Sequence, residues 1–147
     1  MASKKEIQEQ NFKNLLEVSS LIKDMQYFIF YGTLLGIIRD NNVIKGDDDV
    51  DFMVCFKSKK LLLKKMSFIK NFKLNKKVSN NYFAQYVKIK EGIKTFVDFY
   101  FYLNDPKKNY IIDRHNWLGN INDKRFALHF QKKMIFPINK KGKFNIP

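Results

Sequence analysis

Four of the chain's ten aspartates fall within five positions: Asp47, Asp48, Asp49 and Asp51. Asp49 and Asp51 are two apart where the apolar run VDFMVCF (50–56) begins. Along a strand, alternation sends both carboxylates to one face and sends Val50 and Phe52 the other way, into a core. Two carboxylates held side by side repel and raise one another's pKa. A divalent cation relieves that repulsion, and hard oxygen ligands suit Mg²⁺ or Mn²⁺. A third acid, Asp98, is the one charged residue within TFVDFYFYL (95–103). A carboxylate set among Phe and Tyr needs something to pair with. Should its strand lie beside 50–56, Asp98 completes a three-carboxylate cluster. Separately, the Asp run reads as a solvated acidic loop and Asp98 as half of a salt bridge to a lysine. Together they point to a metal site. Asp47 is a candidate further ligand or a group that tunes the site; Asp48 is expected to face solvent.

Upstream, Gly32-Thr33 and then Gly36 follow a short aromatic run and open a helical segment. Backbone N–H groups exposed at such a junction can hold phosphate oxygens. A glycine after a strand is most often only a turn. Ahead of an Asp-x-Asp strand it implies a division of labour, one element holding phosphates and the other the metal that bridges them. Arg39, on the same short helix, is placed to reach a phosphate; its ordinary reading is an exposed helix arginine. His115 and His129 lack metal-ligand spacing, a single Trp117 is most simply core, and Cys55 sits mid-strand with no histidine nearby, as a packing residue.

The elements that must position these groups follow from periodicity. Residues 5–25 carry Phe12, Leu15, Leu16, Ile22 and Met25 at helical spacing. Residues 27–31 suit a buried strand, 34–39 a short helix, and 40–42 a turn. The strand 50–56 is followed by a helix over 59–72, whose lysines are read as a solvated face. Residues 82–90 and 93–103 are strand-like and joined by Glu91-Gly92, a tight hairpin signal. Residues 107–147 form an irregular tail with apolar pieces at 110–112, 126–130 and 134–138. The order predicts a mixed α/β (α+β) domain, a small mixed sheet flanked by helices.

At 147 residues, 45% hydrophobic and 16% aromatic, the chain can bury a sizeable core as one domain spanning 1–147. No apolar run approaches the roughly 18–20 residues that cross a bilayer. One cysteine excludes an internal disulfide framework and a multi-Cys zinc site. The net charge of +14 favours contact with nucleic acid, nucleotides or anionic lipid. Only three of the 28 basic residues are arginine, however, and Lys, Asn, Ile and Phe together supply 70 residues. That is the signature of an AT-rich coding sequence, and base-reading surfaces lean on arginine, so nucleic acid is not the expected partner.

The stretch Gly32-Thr33-Leu34-Leu35-Gly36-Ile37-Ile38-Arg39, then Ile44 and Asp47-Asp48-Asp49-Val50-Asp51-Phe52, resembles the signature of the LicD/fukutin group. These are phosphotransferases of the nucleotidyltransferase-fold superfamily, whose pattern is Gly-Gly/Ser, a spacer, Asp-hydrophobic-Asp, and a third acid on a later strand. Gly32-Thr33, Asp49-Val50-Asp51 and Asp98 fall in those places. Members often carry Pro-Trp before the acidic run, where this chain has Lys45-Gly46. Many also continue with a further C-terminal segment, and the resemblance leads one to expect either a minimal member or one without the last acceptor-binding elements.

The resemblance implies transfer of a phosphorylated small group, such as phosphocholine or an alditol phosphate, from a CDP-linked donor to a glycan or glycolipid hydroxyl. Asp49 and Asp51 would hold Mg²⁺ or Mn²⁺ against the donor pyrophosphate, and Asp98 would serve the metal nearest the acceptor and help deprotonate it. Gly32 and Thr33, with Gly36 and Arg39 nearby, would bind the donor phosphates. The same triad would serve a nucleotidyltransferase that attaches NMP from an NTP to a small molecule, protein or RNA. A third reading, a non-catalytic basic domain binding RNA or a membrane surface, predicts strong salt dependence without divalent metal and leaves Asp98 unexplained. Golgi members of the group carry an N-terminal membrane anchor. No such stretch stands here, so a cytoplasmic, microbial setting is expected, with any membrane contact peripheral.

Overall fold

The structure, a computed structural model, describes residues 2–115 and 128–131. Trp117 and the apolar piece 134–138 lie outside them. Helix α1 (Lys4–Leu21) starts at a capping box: Ser3 Oγ accepts the Glu6 N–H at 3.2 Å while the Glu6 carboxylate accepts the Ser3 N–H at 2.7 Å. Two donors that a helix start would leave unpaired are thereby satisfied. Strand β1 (Tyr27–Ile29) runs directly into α2 (Tyr31–Asp40), and a return loop leads to β2 (Asp49–Cys55). One 3₁₀ turn (Phe56–Ser58) precedes α3 (Lys59–Ser67) and the short β3 (Phe72–Leu74). A long hairpin, β4 (Phe83–Lys90) and β5 (Ile93–Asn104), is followed by β6 (Tyr110–Asp113) and β7 (Leu128–Gln131).

The sheet runs β1-β2-β5-β4-β3, with β6 and β7 continuing from the far part of β5. β2 and β5 are parallel and the other pairings are antiparallel, so the fold is the expected mixed α/β arrangement. Alternation divides β2 and β5 cleanly. Val50, Phe52 and Val54 join Val97, Phe99 and Phe101 on one face, packed under Leu15, Val18 and Ile22 of α1, Leu62 and Met66 of α3, and Ile37 of α2. Met53, Cys55, Tyr100 and Tyr102 occupy the opposite face with Phe28, Phe83 and Ile111. By the same period, Asp49, Asp51 and Asp98 belong to this second face.

Several boundaries differ from the sequence expectation. The helix expected over 59–72 ends at Ser67, because Phe72 is needed in the core as part of edge strand β3. α2 begins at Tyr31 rather than Leu34, so Gly32 and Thr33 lie in its first turn. The expected irregular tail contains β6 and β7, held by pairing to β5 and to each other. The Glu91-Gly92 hairpin forms as expected, both residues taking positive φ (51° and 77°) as a two-residue turn of matching twist requires.

Candidate active site

Parallel pairing of β2 with β5 puts Asp51 opposite Asp98, and Asp49 one pleat away on the same face. A carboxylate oxygen from each of the three lies within 4.8 Å of the others. Asp51 and Asp98 are 4% and 3% exposed, and Asp49 is half-buried. Burial, followed by the Asp98 charge, pushes Asp51 up to about 7. Burial and then Asp51 raise Asp49 to about 7, and burial raises Asp98 to about 7. Asp47, Asp48 and Asp49 form a second close group. Asp47 is half-buried, with its carboxyl raised by burial and hydrogen-bonded to that of Asp49. Asp48 is exposed, as expected, and uses its carbonyl to accept the Phe96 N–H at 2.7 Å.

Neutral donors hold the acids in place. The Thr33 hydroxyl accepts the Asp51 N–H at 2.7 Å, and the Thr33 N–H donates to Asp51 Oδ2 at 3.4 Å. Thr33 is buried, so this residue fixes Asp51 through both backbone and side chain. The Tyr100 hydroxyl donates to Asp51 Oδ1 at 3.4 Å. On β4, Gln85 faces Asp98 and its Nε2 donates to Oδ1 at 3.0 Å and to Oδ2 at 3.4 Å. Gln85 Oε1 accepts Asn75 Nδ2 at 2.8 Å, which holds the amide with its NH₂ towards the carboxylate. From α1, Asn11 Nδ2 donates to the carbonyls of Asp47 (2.7 Å) and Asp49 (3.2 Å), pinning the acidic loop to the helix.

The β1–α2 junction explains the glycines. Tyr31 adopts φ +46°, a strained conformation for a bulky residue. Its hydroxyl donates to Asp113 at 2.7 Å, and its ring packs 4.9 Å from that of Tyr100. Turning the chain this way brings Gly32 against the acids, where a Cβ would sit 2.9 Å from Asp47 Oδ2 and 3.6 Å from Asp51 Oδ2. Gly36 answers a different demand: a Cβ there would meet the Asn42 carbonyl at 2.6 Å and the Ile44 nitrogen at 3.0 Å. It lets the return loop pass close over α2 on its way to the acidic run. Arg39 is exposed and grips Asp40 through Nε (2.8 Å) and Nη2 (2.6 Å). It stands two turns along α2 from Gly32, about 10 Å by helical rise, and is not drawn into the acidic group. His115 is half-buried and stacks on Phe83 at 4.0 Å, with its imidazole pushed down to about 4 by burial. Cys55 is buried in the aromatic face, and His129 packs against Tyr110.

A family model described as LicD/FKTN/FKRP, nucleotidyltransferase domain, matches residues 24–144, a span holding the α2 junction, the acidic run, Gln85 and Asp98. The chain belongs to the LicD/FKTN/FKRP family. Membership makes it a transferase of phosphotransferase type, acting in glycan or phosphocholine modification. No curated protein is similar enough to the chain to count as a match. No helix among the described residues is long and apolar enough to cross a membrane.

The acidic group of this LicD/FKTN/FKRP chain fits a metal ion by its donor set. It offers three hard carboxylate oxygens at close quarters, each raised first by burial and also by like charge from neighbouring aspartates. Sequence reasoning singled out the three acids, Gly32 and Thr33, and missed Gln85, Asn11 and Tyr100. Asn11 had a visible signal: with Leu15, Val18 and Ile22 it lies on the helical stripe that becomes buried. An amide on an apolar stripe must find a partner.

Proposed function

We propose that the chain is a metal-dependent phosphotransferase that moves a phosphorylated small group, phosphocholine or an alditol phosphate, from a CDP-linked donor to a glycan hydroxyl. The observation that carries this reading is the register of β2 on β5, which sets Asp51 against Asp98 with Asp49 beside them. Asp49, Asp51 and Asp98 are the residues that would hold Mg²⁺ or Mn²⁺, with Asp47 as a further ligand. The cation supplies charge neutralisation at the donor pyrophosphate and the leaving oxygen. Gly32, lacking a side chain next to the acids, leaves room for the phosphates to approach the start of α2. Thr33 acts through Asp51, since its hydroxyl already accepts the Asp51 N–H. Asp98 would serve the metal nearest the acceptor and help deprotonate the acceptor hydroxyl. Gly36 shapes the return loop, and Arg39 meets the donor only by leaving Asp40.

Thermal stabilisation by CDP-choline, CDP-ribitol, CDP-glycerol, CTP, ATP and GTP, with and without Mg²⁺ or Mn²⁺, tests the proposal. A ligand at about 100 times its Kd adds about 2.7 kcal/mol, a readable shift for a domain of this size. Metal-dependent stabilisation by one CDP-linked donor, lost in Asp51→Asn, is the expected result and names the transferred group. Preference for an NTP would replace this reading with nucleotidyl transfer. Indifference to every nucleotide in the presence of metal would overturn both.

A further inference from the structure

The positive charge of this chain is not spread as compositional bias alone would spread it. Residues 1–51 hold nine acids against six basic residues, whereas residues 52–90 hold eleven lysines and not one acid. A codon bias towards lysine does not strip aspartate and glutamate from 39 consecutive positions while leaving nine in the preceding 51. The block runs from the end of β2 through the 3₁₀ turn, α3 and edge strand β3 to strand β4.

Within the block, α3 presents two contrasting faces. Leu62 and Met66 are fully buried in the core. On the outward side, the neighbours Lys60 and Leu61 are followed by Lys64 and then Phe68, one helical turn apart, with Lys57 just before and Lys70 just after, all exposed. Leu61 is 46% exposed and Phe68, at the helix C-cap, is 74% exposed. Leu74, Val78 and Ile89 are further exposed apolar side chains of the same acid-free block. The other two lysines of this helix are already engaged. Lys65 pairs with Asp24 at 2.9 Å, and Lys59 donates to the Asn81 carbonyl at 2.7 Å. Among the described residues, no ion pair involves Lys57, Lys60, Lys64 or Lys70.

A merely solvated lysine face, the reading the sequence suggests, has no use for a phenylalanine and a leucine held in water between its charges. An anionic lipid surface uses both. Lysines gain from the negative surface potential, and large apolar side chains insert below the headgroups. A nucleic acid would be met by arginine forks and base contacts, and this block contains no arginine. We propose that the outward face of α3, centred on Lys60, Leu61, Lys64 and Phe68, docks the protein on a membrane surface rich in anionic lipid. The proposal stands on charge segregation and exposure alone, independently of the transferase reading.

Flotation or co-sedimentation of the full chain with vesicles decides it. One set is phosphatidylcholine with about 30 mol% phosphatidylglycerol and the other is pure phosphatidylcholine. Binding is expected to the anionic vesicles only, and to fall as salt rises from about 0.1 M to about 0.5 M. Lys60→Gln with Lys64→Gln should weaken partitioning on the order of 25-fold, about fivefold per lysine. Leu61→Ser with Phe68→Ser should weaken it by roughly tenfold or more while the lysines remain. All four positions are exposed or at the helix surface, and unchanged thermal melts show that the variants fold. Absence of vesicle binding by the parent chain would overturn the proposal. So would vesicle binding that ignores the loss of Leu61 and Phe68, or tighter binding to a random-sequence RNA than to the anionic vesicles.

Discussion

Replacing Asp51 with asparagine should make the metal-free protein more stable, not less. Asp51 is buried, and its carboxyl is raised to about 7 by burial and then by Asp98. In the unfolded chain it returns to the ordinary aspartate range near 4. Below about pH 4 the group is protonated in both states and has no effect on stability. Between about pH 4 and pH 7 the folded state binds more protons than the unfolded state, so stability falls as pH rises. Above pH 7 the full penalty is present. A shift of about three units corresponds to about 4 kcal/mol, and the amide forfeits roughly 1 kcal/mol of this through the weaker bond from the Thr33 N–H. The net gain at pH 8 is about 3 kcal/mol, or roughly 10 °C in Tm for a chain of this length. Calorimetry in EDTA at pH 5 and pH 8 reads it directly: the variant should gain at pH 8 and lose most of that advantage at pH 5. Adding Mn²⁺ at pH 8 should raise the Tm of the parent and leave the variant nearly unmoved, because one ligand is gone. A variant less stable than the parent at pH 8 in EDTA would refute the picture of three mutually repelling carboxylates.

Other substitutions probe the supports of the site. Gln85→Leu removes the donor to both oxygens of Asp98 and should lower Mn²⁺ affinity by about 10- to 100-fold; isothermal titration checks this, and unchanged affinity would rule out a positioning role. Gly36→Ala places a methyl 2.6 Å from the Asn42 carbonyl and should destabilise by about 1–3 kcal/mol through overpacking, read as a lower urea midpoint. Tyr31→Phe strips the 2.7 Å hydrogen bond from the fully buried Asp113. It should cost about 1–3 kcal/mol, with an unchanged denaturant slope separating lost stability from a changed unfolded state.

The legibility of the site in the sequence depends on which pairings are local. The two-residue turn at Glu91-Gly92 opposes Lys90 to Ile93. Counting five residues outward from that pair reaches Gln85 and Asp98, so the amide partner of the third acid was implicit in the turn. Parallel pairing of β2 with β5 has no such local mark. A helix, an edge strand and a hairpin strand intervene, and only the acids themselves and the family pattern they match signalled that Asp51 and Asp98 would meet. β3 was hidden for a different reason: three residues between lysines and asparagines carry too little alternation to compete with the helical period before them.

Electrostatics ties these features together. Buried acids in a protein with 28 basic residues could be expected to recruit lysines, as Lys88 is recruited by Glu17 at 2.6 Å on the helix-covered face. Asp51 and Asp98 instead meet Thr33, Tyr100 and Gln85, which donate hydrogen bonds without bringing a charge. A resident ammonium would satisfy the carboxylates permanently and compete with any cation arriving from solution. Neutral donors fix the geometry and leave the negative charge unbalanced, so the repulsion that depresses metal-free stability also provides the driving force for binding a divalent ion. The two effects should therefore move together. A variant that introduces a cation beside the triad, such as Gln85→Lys, is expected to raise metal-free stability at pH 8 and abolish the Mn²⁺ response. Retention of the full Mn²⁺ response in that variant would show that the charge of the cluster is balanced elsewhere.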